Sequence, residues 1–245
     1  MAFQVSPGVQ VKEIDATSVV PAVSTSIGGF AGSFNWGPVE QVVSVGSEKE
    51  LLSTFGTPDD NTALYFLTAS AFLKYGNALK VVRAASGHDN ATADGSGLLI
   101  KNDEHYTNSG YDGGAGSVGQ WAAKFPGDLG NSLKVEMVTA DVTTNNFNAW
   151  AFAGQFDGKP GTSDYAINLG RSASYNDEVH VIVIDEDGLI SGTANTVLET
   201  FAFMSIGSDA KANDGTSNYY VDVINAQSDW IRWMDHKTTS PTWSA

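Results

Sequence analysis

SEKELLSTFGTPDDNTALYFLTASAFLKYGNALKVVRA, residues 47–84, decides how the first part of this chain folds. Ser47-Glu48-Lys49-Glu50 is a capping box: the Ser47 hydroxyl can accept from the Glu50 amide while the Glu50 carboxylate reaches back. The helix it opens, over 48–55, stops at Gly56, a natural residue for the turn that ends a helix. Pro58-Asp59-Asp60-Asn61 precedes a longer helix over 62–75. Leu64, Leu67, Ala71, Phe72 and Tyr75 form its apolar stripe, and Gly76-Asn77 ends it. Residues 79–84, LKVVRA, form a compact strand. Two further strands are expected upstream, at 26–31 and 40–45. Strand, helix and strand in this order predict a right-handed crossover in a parallel or mixed sheet.

Downstream, the composition changes at Ser86. Residues 87–120 are rich in Gly, Asn, Asp and Ser, with few apolar side chains to anchor a core. They read as a surface insertion with one weak strand at 97–101. Order returns at Trp121, and a strand at 133–139 is expected to rejoin the first sheet, which would make that domain discontinuous. Beyond Thr143 the pattern turns β-rich. Residues 148–156 end at the hairpin signal Asp157-Gly158. Strands at 179–184, 197–204 and 218–224 follow, then the aromatic cluster around Trp230 and Trp233.

Upstream, residues 1–15 are MAFQVSPGVQVKEID. Pro7-Gly8 makes a turn, and Val9, Gln10, Val11, Lys12, Glu13 and Ile14 alternate apolar and polar as far as Glu13, the pattern of a strand with one face to bury. No hairpin turn follows to fold residues 16–23 back onto it. Such a strand can complete another chain's sheet by strand addition, or form an edge of its own domain. The pattern alone leaves both open.

Composition narrows the function classes. Lys+Arg of 13 against Asp+Glu of 28 gives a net charge of −15, which repels phosphate backbones and anionic lipid. Direct nucleic-acid binding and membrane insertion are therefore not expected. Cys 0 removes disulfides, thiolate metal sites and cysteine nucleophiles together, as suits folding in a reducing cytoplasm. No signal peptide and no run of about 18 apolar residues is visible. Residues 237–245 read as a linker cut midway, so a fragment of something longer is expected.

No constellation reaches a catalytic hypothesis. Ile27-Gly28-Gly29-Phe30-Ala31-Gly32 lacks the helix start and the Lys-Ser/Thr that a phosphate loop needs, and reads as a strand leaving into a turn. Asp185-Glu186-Asp187-Gly188 lacks the alternating ligands of a calcium loop and reads as a tight turn. His88, His105, His180 and His236 are scattered. Glu178 and His180 share a strand face, where a surface ion pair is a simpler reading than an acid/base couple. Trp230, Trp233 and Trp243 suit a contact surface or a core, and Trp230 is read as core. No cofactor, metal or catalytic residue is assigned, and the chain is not expected to be an enzyme.

Several short motifs together carry a family resemblance. Ser6-Pro7-Gly8-Val9-Gln10-Val11-Lys12-Glu13, Gly32-Ser33-Phe34-Asn35-Trp36-Gly37-Pro38 and Phe55-Gly56-Thr57-Pro58 come first. Phe72 to Asn77, Leu79 to Ala84, and Pro126-Gly127-Asp128-Leu129-Gly130-Asn131-Ser132-Leu133 then follow in order. Over 6–136 this resembles the N-terminal region of tail sheath proteins of contractile-tailed phages, and 177–236 is similar to sheath proteins of T-even-like phages. The resemblance implies a non-enzymatic virion subunit, made in the host cytoplasm, that stacks with other copies as hexameric rings around the tail tube. Contraction would then drive the tube through the host envelope. It also implies that Val9, Gln10, Val11, Lys12, Glu13 and Ile14 form the arm that adds a strand to a neighbouring subunit. Tube and baseplate would be met through parts not in this chain. A host-glycan binding module is the alternative, and a hydrolase ranks below it for want of a nucleophile or metal set.

The expected fold class is α+β, with four parts. These are an extended arm and linker over 1–22 and a discontinuous α/β domain over 23–86 and 121–143, with a mixed sheet and two helices. An insertion over 87–120 and a mainly β domain over 144–245 complete it.

Overall fold

The computed structural model describes residues 27–140 and 147–236. Its first sheet has the order β1-β3-β2. Strand β1 (Ile27–Gly32) runs parallel to β3 (Ala78–Arg83), and β2 (Val42–Val45) pairs antiparallel on the other side. The expected mixed sheet is therefore present. Helices α1 (Glu48–Phe55) and α2 (Ala63–Leu73) lie between β2 and β3 in the chain.

Local chemistry explains both helix limits of α1. The Ser47 hydroxyl accepts from the Glu50 amide at 3.2 Å, as the capping box requires. The Glu50 carboxylate, however, takes the Gly46 amide at 2.8 Å rather than that of Ser47. Gly56, at φ 77°, ends the helix and returns its amide to the Leu52 carbonyl. Leu51 and Phe55 then bury against Phe34, Phe66, Leu79 and Val81. Gly28 is glycine because α2 lies on it: a Cβ there would stand 2.6 Å from Phe72 Cζ.

Helix α2 corrects the sequence reading. It buries Phe66, Ala69 and Ser70, with Phe72 half-buried, whereas Leu64, Leu67, Ala71 and Tyr75 of the expected core stripe face outward. The sequence ALYFLTASAFL is apolar on every side, so periodicity could not choose the inward face.

A second sheet, order β5-β6-β7, is an antiparallel meander of β5 (Leu133–Thr139), β6 (Glu178–Asp185) and β7 (Thr196–Ser205). Strand β5 thus does not rejoin the first sheet; it pairs with β6 from Leu133↔Asp185 to Thr139↔Val179. The physical reason lies in β6, where Val179 to Ile184 are buried on both faces, so this central strand needs a partner on each edge. Strand β4 (Trp121–Ala123) pairs with β8 (Ile231–Trp233), joining distant parts of the chain. Residues 148–156 form short 3-10 turns rather than a strand, and Phe156 stacks on the His180 ring of β6 while Phe147 meets that ring edge-on. The strand expected at 218–224 is not formed: the segment turns into helix α5 (Tyr220–Gln227), which buries Tyr220, Val221 and Ile224.

The Gly- and Asn-rich stretch is better anchored than its composition predicts. It contains helix α3 (Asp103–Asn108), and Ile100, Tyr106 and Val118 build a small core with Ala122 and Met234. Buried Asn90 stands in for a strand there. Its amide donates to the carbonyls of Ile100 and Ala123, and its oxygen accepts from the Ile100 amide at 2.7 Å. One further short helix, α4 (Asp164–Asn168), is capped by Ser163.

Candidate assembly surface and the joint behind it

The six residues expected to add a strand to a neighbour, Val9 to Ile14, lie outside the described residues, as do Trp243 and the linker at 15–23. The remaining candidates can be placed. Among the described residues no group of three or more His, Cys, Asp or Glu stands ready to hold a metal. Asp185 is a buried turn anchor. Burial alone would raise its carboxyl, but bonds from the Ser132 hydroxyl at 2.6 Å and from Ile190 and Ser191 hold it below the ordinary carboxylate value. Gly188, at φ 77°, completes that turn: a Cβ there would meet the Ala194 amide at 2.6 Å.

His180 is neither a surface ion-pair partner nor half of an acid/base couple. It is fully buried, stacked on Phe156 at 4.4 Å and edge-on to Phe203 at 4.6 Å. The Phe203 amide can only donate, so Nδ1 accepts from it at 2.9 Å and the Nε2 hydrogen goes to the Gly158 carbonyl. Burial holds its pKa below the ordinary histidine value. Phe203 sits at φ 52°, an uncommon conformation for a bulky residue, in a bulge where β6 and β7 slip register. His180 and Asn218, whose amide meets the Phe203 carbonyl at 3.0 Å, hold that bulge from both sides. Glu178 instead accepts from the Gly161 amide.

The first sheet is braced to the rest of the molecule by one buried cation, which sequence reading passed over. Arg83, at the end of β3, is 2% exposed. Its guanidinium donates to the carbonyls of Phe34 at 2.8 Å, Gly37 at 2.7 Å, Pro126 at 2.7 Å and, more loosely, Asn35 at 3.4 Å. Among the described residues no carboxylate takes part. Burial lowers its pKa to about 10, which leaves it charged at neutral pH. The fork shape of Arg lets one side chain gather carbonyls from the 34–37 loop and from 126. Trp36, buried in that loop, packs against Phe125 at 5.5 Å and Trp230 at 5.1 Å. Trp230 is thus half-buried at this joint. Val39 donates to the Lys101 carbonyl at 2.8 Å, and Asn102 returns a bond to the Val39 carbonyl at 3.0 Å. Arg232, also buried, ties β8 to Asp103 of α3 and lies 4.8 Å over the Tyr106 ring.

Among the described residues, nothing covers either outer surface of the braced α/β unit. Helices α1 and α2 cover only the sheet face of Phe30, Leu79 and Val81. On the opposite face Ile27 is 63% and Val42 62% exposed. On the far side of α2, Leu64 is 74% and Leu67 60% exposed. A sheet containing parallel strands ordinarily has both faces covered, and so does an apolar helix. The one sequence signal for this was the absence of any charge in 63–73.

A unit with two apolar faces exposed among the described residues fits the class of chains suited to contact with other polypeptide. Comparison with known proteins narrows this class. Residues 25–84 match the family model described as "Tail sheath protein Gp18 domain III N-terminal region". The chain is 44% identical over 97 residues to the tail sheath protein of Enterobacteria phage T4, an alignment covering 40% of this chain and 14% of that protein. Against the tail sheath protein of Salmonella phage ViI it is 31% identical over 199 residues, covering 80% of this chain and 28% of that protein. Among solved structures, the sheath tail protein Lin1278 from Listeria innocua aligns with 87% of this chain and 31% of that chain, at 12% identity and a TM-score of 0.40. The chain spans less than a third of the length of these relatives. Over these stretches it is similar to phage tail sheath proteins.

Proposed function

We propose that this chain is a non-enzymatic structural part of a contractile tail sheath, stacking with other copies as hexameric rings around the tail tube. Contraction of those rings would drive the tube through the host envelope. The observation that carries this reading is the similarity to a tail sheath protein over 199 residues, which reaches well beyond the α/β unit of 25–84. The physics agrees. Arg83 and the Trp36 ring contacts tie the α/β unit to the segments around Pro126 and Trp230. Residues 15–23 would link that body to the arm. Val9 to Ile14 would add a strand to a neighbour, so that main-chain hydrogen bonds hold subunits together while the bodies move. Contraction energy would come from bistable contacts between subunits, not from nucleotide hydrolysis. Contacts to tube and baseplate would lie in sequence other than this one.

Deleting residues 1–15 tests the reading. Polymerisation of the gene product, followed by negative-stain microscopy, is expected to stop while the melting temperature of the body stays unchanged. Tubes that still form without the arm would overturn the role given to it.

A further inference from the structure

We propose that residues 147–158 form a strap that lets go of the second sheet on acidification, with the His180 ring as its latch. The strap is tied to the body through side chains. Among the described residues its main-chain amides bond inward: Trp150 to the Phe147 carbonyl at 3.0 Å, Ala153 to Trp150 at 3.1 Å, Gln155 to Phe152 at 3.0 Å and Phe156 to Ala153 at 3.3 Å. The hydrogen bonds that cross to the sheet come from two rings. The Trp150 indole donates to the Glu136 carboxylate of β5 at 2.5 Å, and the His180 Nε2 hydrogen goes to the Gly158 carbonyl at 2.9 Å. Phe156 lies flat on the imidazole, at an interplanar angle of 1°, and Phe147 meets it edge-on at 6.0 Å. A segment held in this way, outside any ladder, belongs to the part of a fold that opens before the whole.

The other ring nitrogen holds a second element. Val179 pairs with Met204 and Val181 with Phe201, so Ala202 and Phe203 both stand opposite His180. Nδ1 accepts the Phe203 amide there and fixes the bulge. A proton on Nδ1 turns that acceptor into a donor facing a donor. The Nε2 bond tolerates the proton, but the ring is rigid: Nδ1 cannot turn away from Phe203 without the ring leaving Phe156 and Gly158. One proton thus frees the strap and the bulge together. Among the described residues no carboxylate bonds the ring to offset its charge. On β6, Glu178 accepts from Gly161, and before it buried Asp177 accepts from Ser163 and Ser205. On β5, Glu136 takes the Trp150 indole and lies 3.0 Å from Lys134. The one charged residue of the strap, Asp157, is exposed, and residues 200–205 and 216–219 carry no charge.

With the strap open the ring meets water and regains its ordinary 6.5, above its value in the closed state. The ratio of open to closed strap is then flat above pH 6.5 and rises about tenfold per pH unit below it, until the closed value is reached. Hydrogen exchange read by mass spectrometry between about pH 7.5 and pH 5.5, corrected for the intrinsic pH dependence of amide exchange, tests this. Segments 147–158 and 201–205 are expected to lose protection together as pH falls, approaching about tenfold per unit, while 133–139 keep theirs. His180→Gln does not titrate and should remove the pH dependence from both segments; Glu178→Gln should leave it in place. Exchange of the parent's strap that ignores pH, or protection lost evenly over the whole sheet, overturns the latch, whatever the stability of the variants. A pH dependence that survives His180→Gln, or vanishes in Glu178→Gln, overturns it as well.

Discussion

Replacing Arg83 with methionine should be the most damaging single change in the first half of the chain. Methionine keeps much of the length and none of the donors. Three good bonds disappear, to Phe34, Gly37 and Pro126 at 2.7–2.8 Å, together with the longer one to Asn35. Each buried carbonyl left without a donor costs about 1–3 kcal/mol. Against this, a buried guanidinium no longer has to be stripped of water, which returns several kcal/mol. The net loss expected is about 3–5 kcal/mol, the range for breaking a buried charged network. In a chain of 245 residues that lowers the melting temperature by about 6–20 °C. Urea denaturation gives the free energy, and native-state hydrogen exchange gives the location. Amides at 33–38 and 127–130 should lose protection first, since Arg83 joins these two segments. Arg83→Lys keeps the charge but not the fork, and should fall between the two. A methionine variant within about 1 kcal/mol of the parent, with unchanged exchange, would refute the claim that this side chain braces the joint.

Further outcomes follow from buried polar groups and close packing. His180 has a folded pKa below its ordinary 6.5, so the unfolded chain takes the proton more readily. The stability linked to the neutral ring is then complete above about pH 6.5 and is lost as pH falls below that toward the lowered folded value. His180→Gln should flatten this slope in pH-dependent urea titrations. It should also cost about 1–3 kcal/mol at pH 7 by orphaning the Phe203 amide. Asp185→Asn leaves the donors from Ser132, Ile190 and Ser191 competing for one oxygen, and should cost about 2–3 kcal/mol by thermal melting at pH 7. The parent's Asp185 contribution is present above pH 3.8 and disappears as pH falls through its lowered folded value. Gly28→Ala forces a Cβ to 2.6 Å from Phe72 Cζ and should destabilise by about 1–3 kcal/mol, with α2 shifted off the sheet in the amide spectrum.

What the sequence made legible was mostly local. The capping box at Ser47, the stop at Gly56 and the strand before Ala84 each rest on chemistry within a few residues, and each stands close to where it was expected. The family resemblance read from short ordered motifs is borne out by the match over 25–84. What failed was long-range or ambiguous. The partner of β5 is settled by β6, about 50 residues later, whose two buried faces no local pattern assigns. Helix α5 was hidden because Tyr219, Tyr220, Val221 and Val223 suit a strand as well as a helix, and tertiary packing decided. The role of Arg83 has no local signal, because four carbonyls from other segments cannot be seen from LKVVRA alone. The stripe of α2 was assigned inward since apolar residues usually are; a helix apolar all round signals a second partner.

Immunogold labelling of virions, with antibody raised against residues 27–140, tests the central claim most directly. The account predicts label spaced regularly along the tail between head and baseplate, following the sheath as it shortens on contraction. Label confined to fibres or head, or none on intact particles, would contradict it.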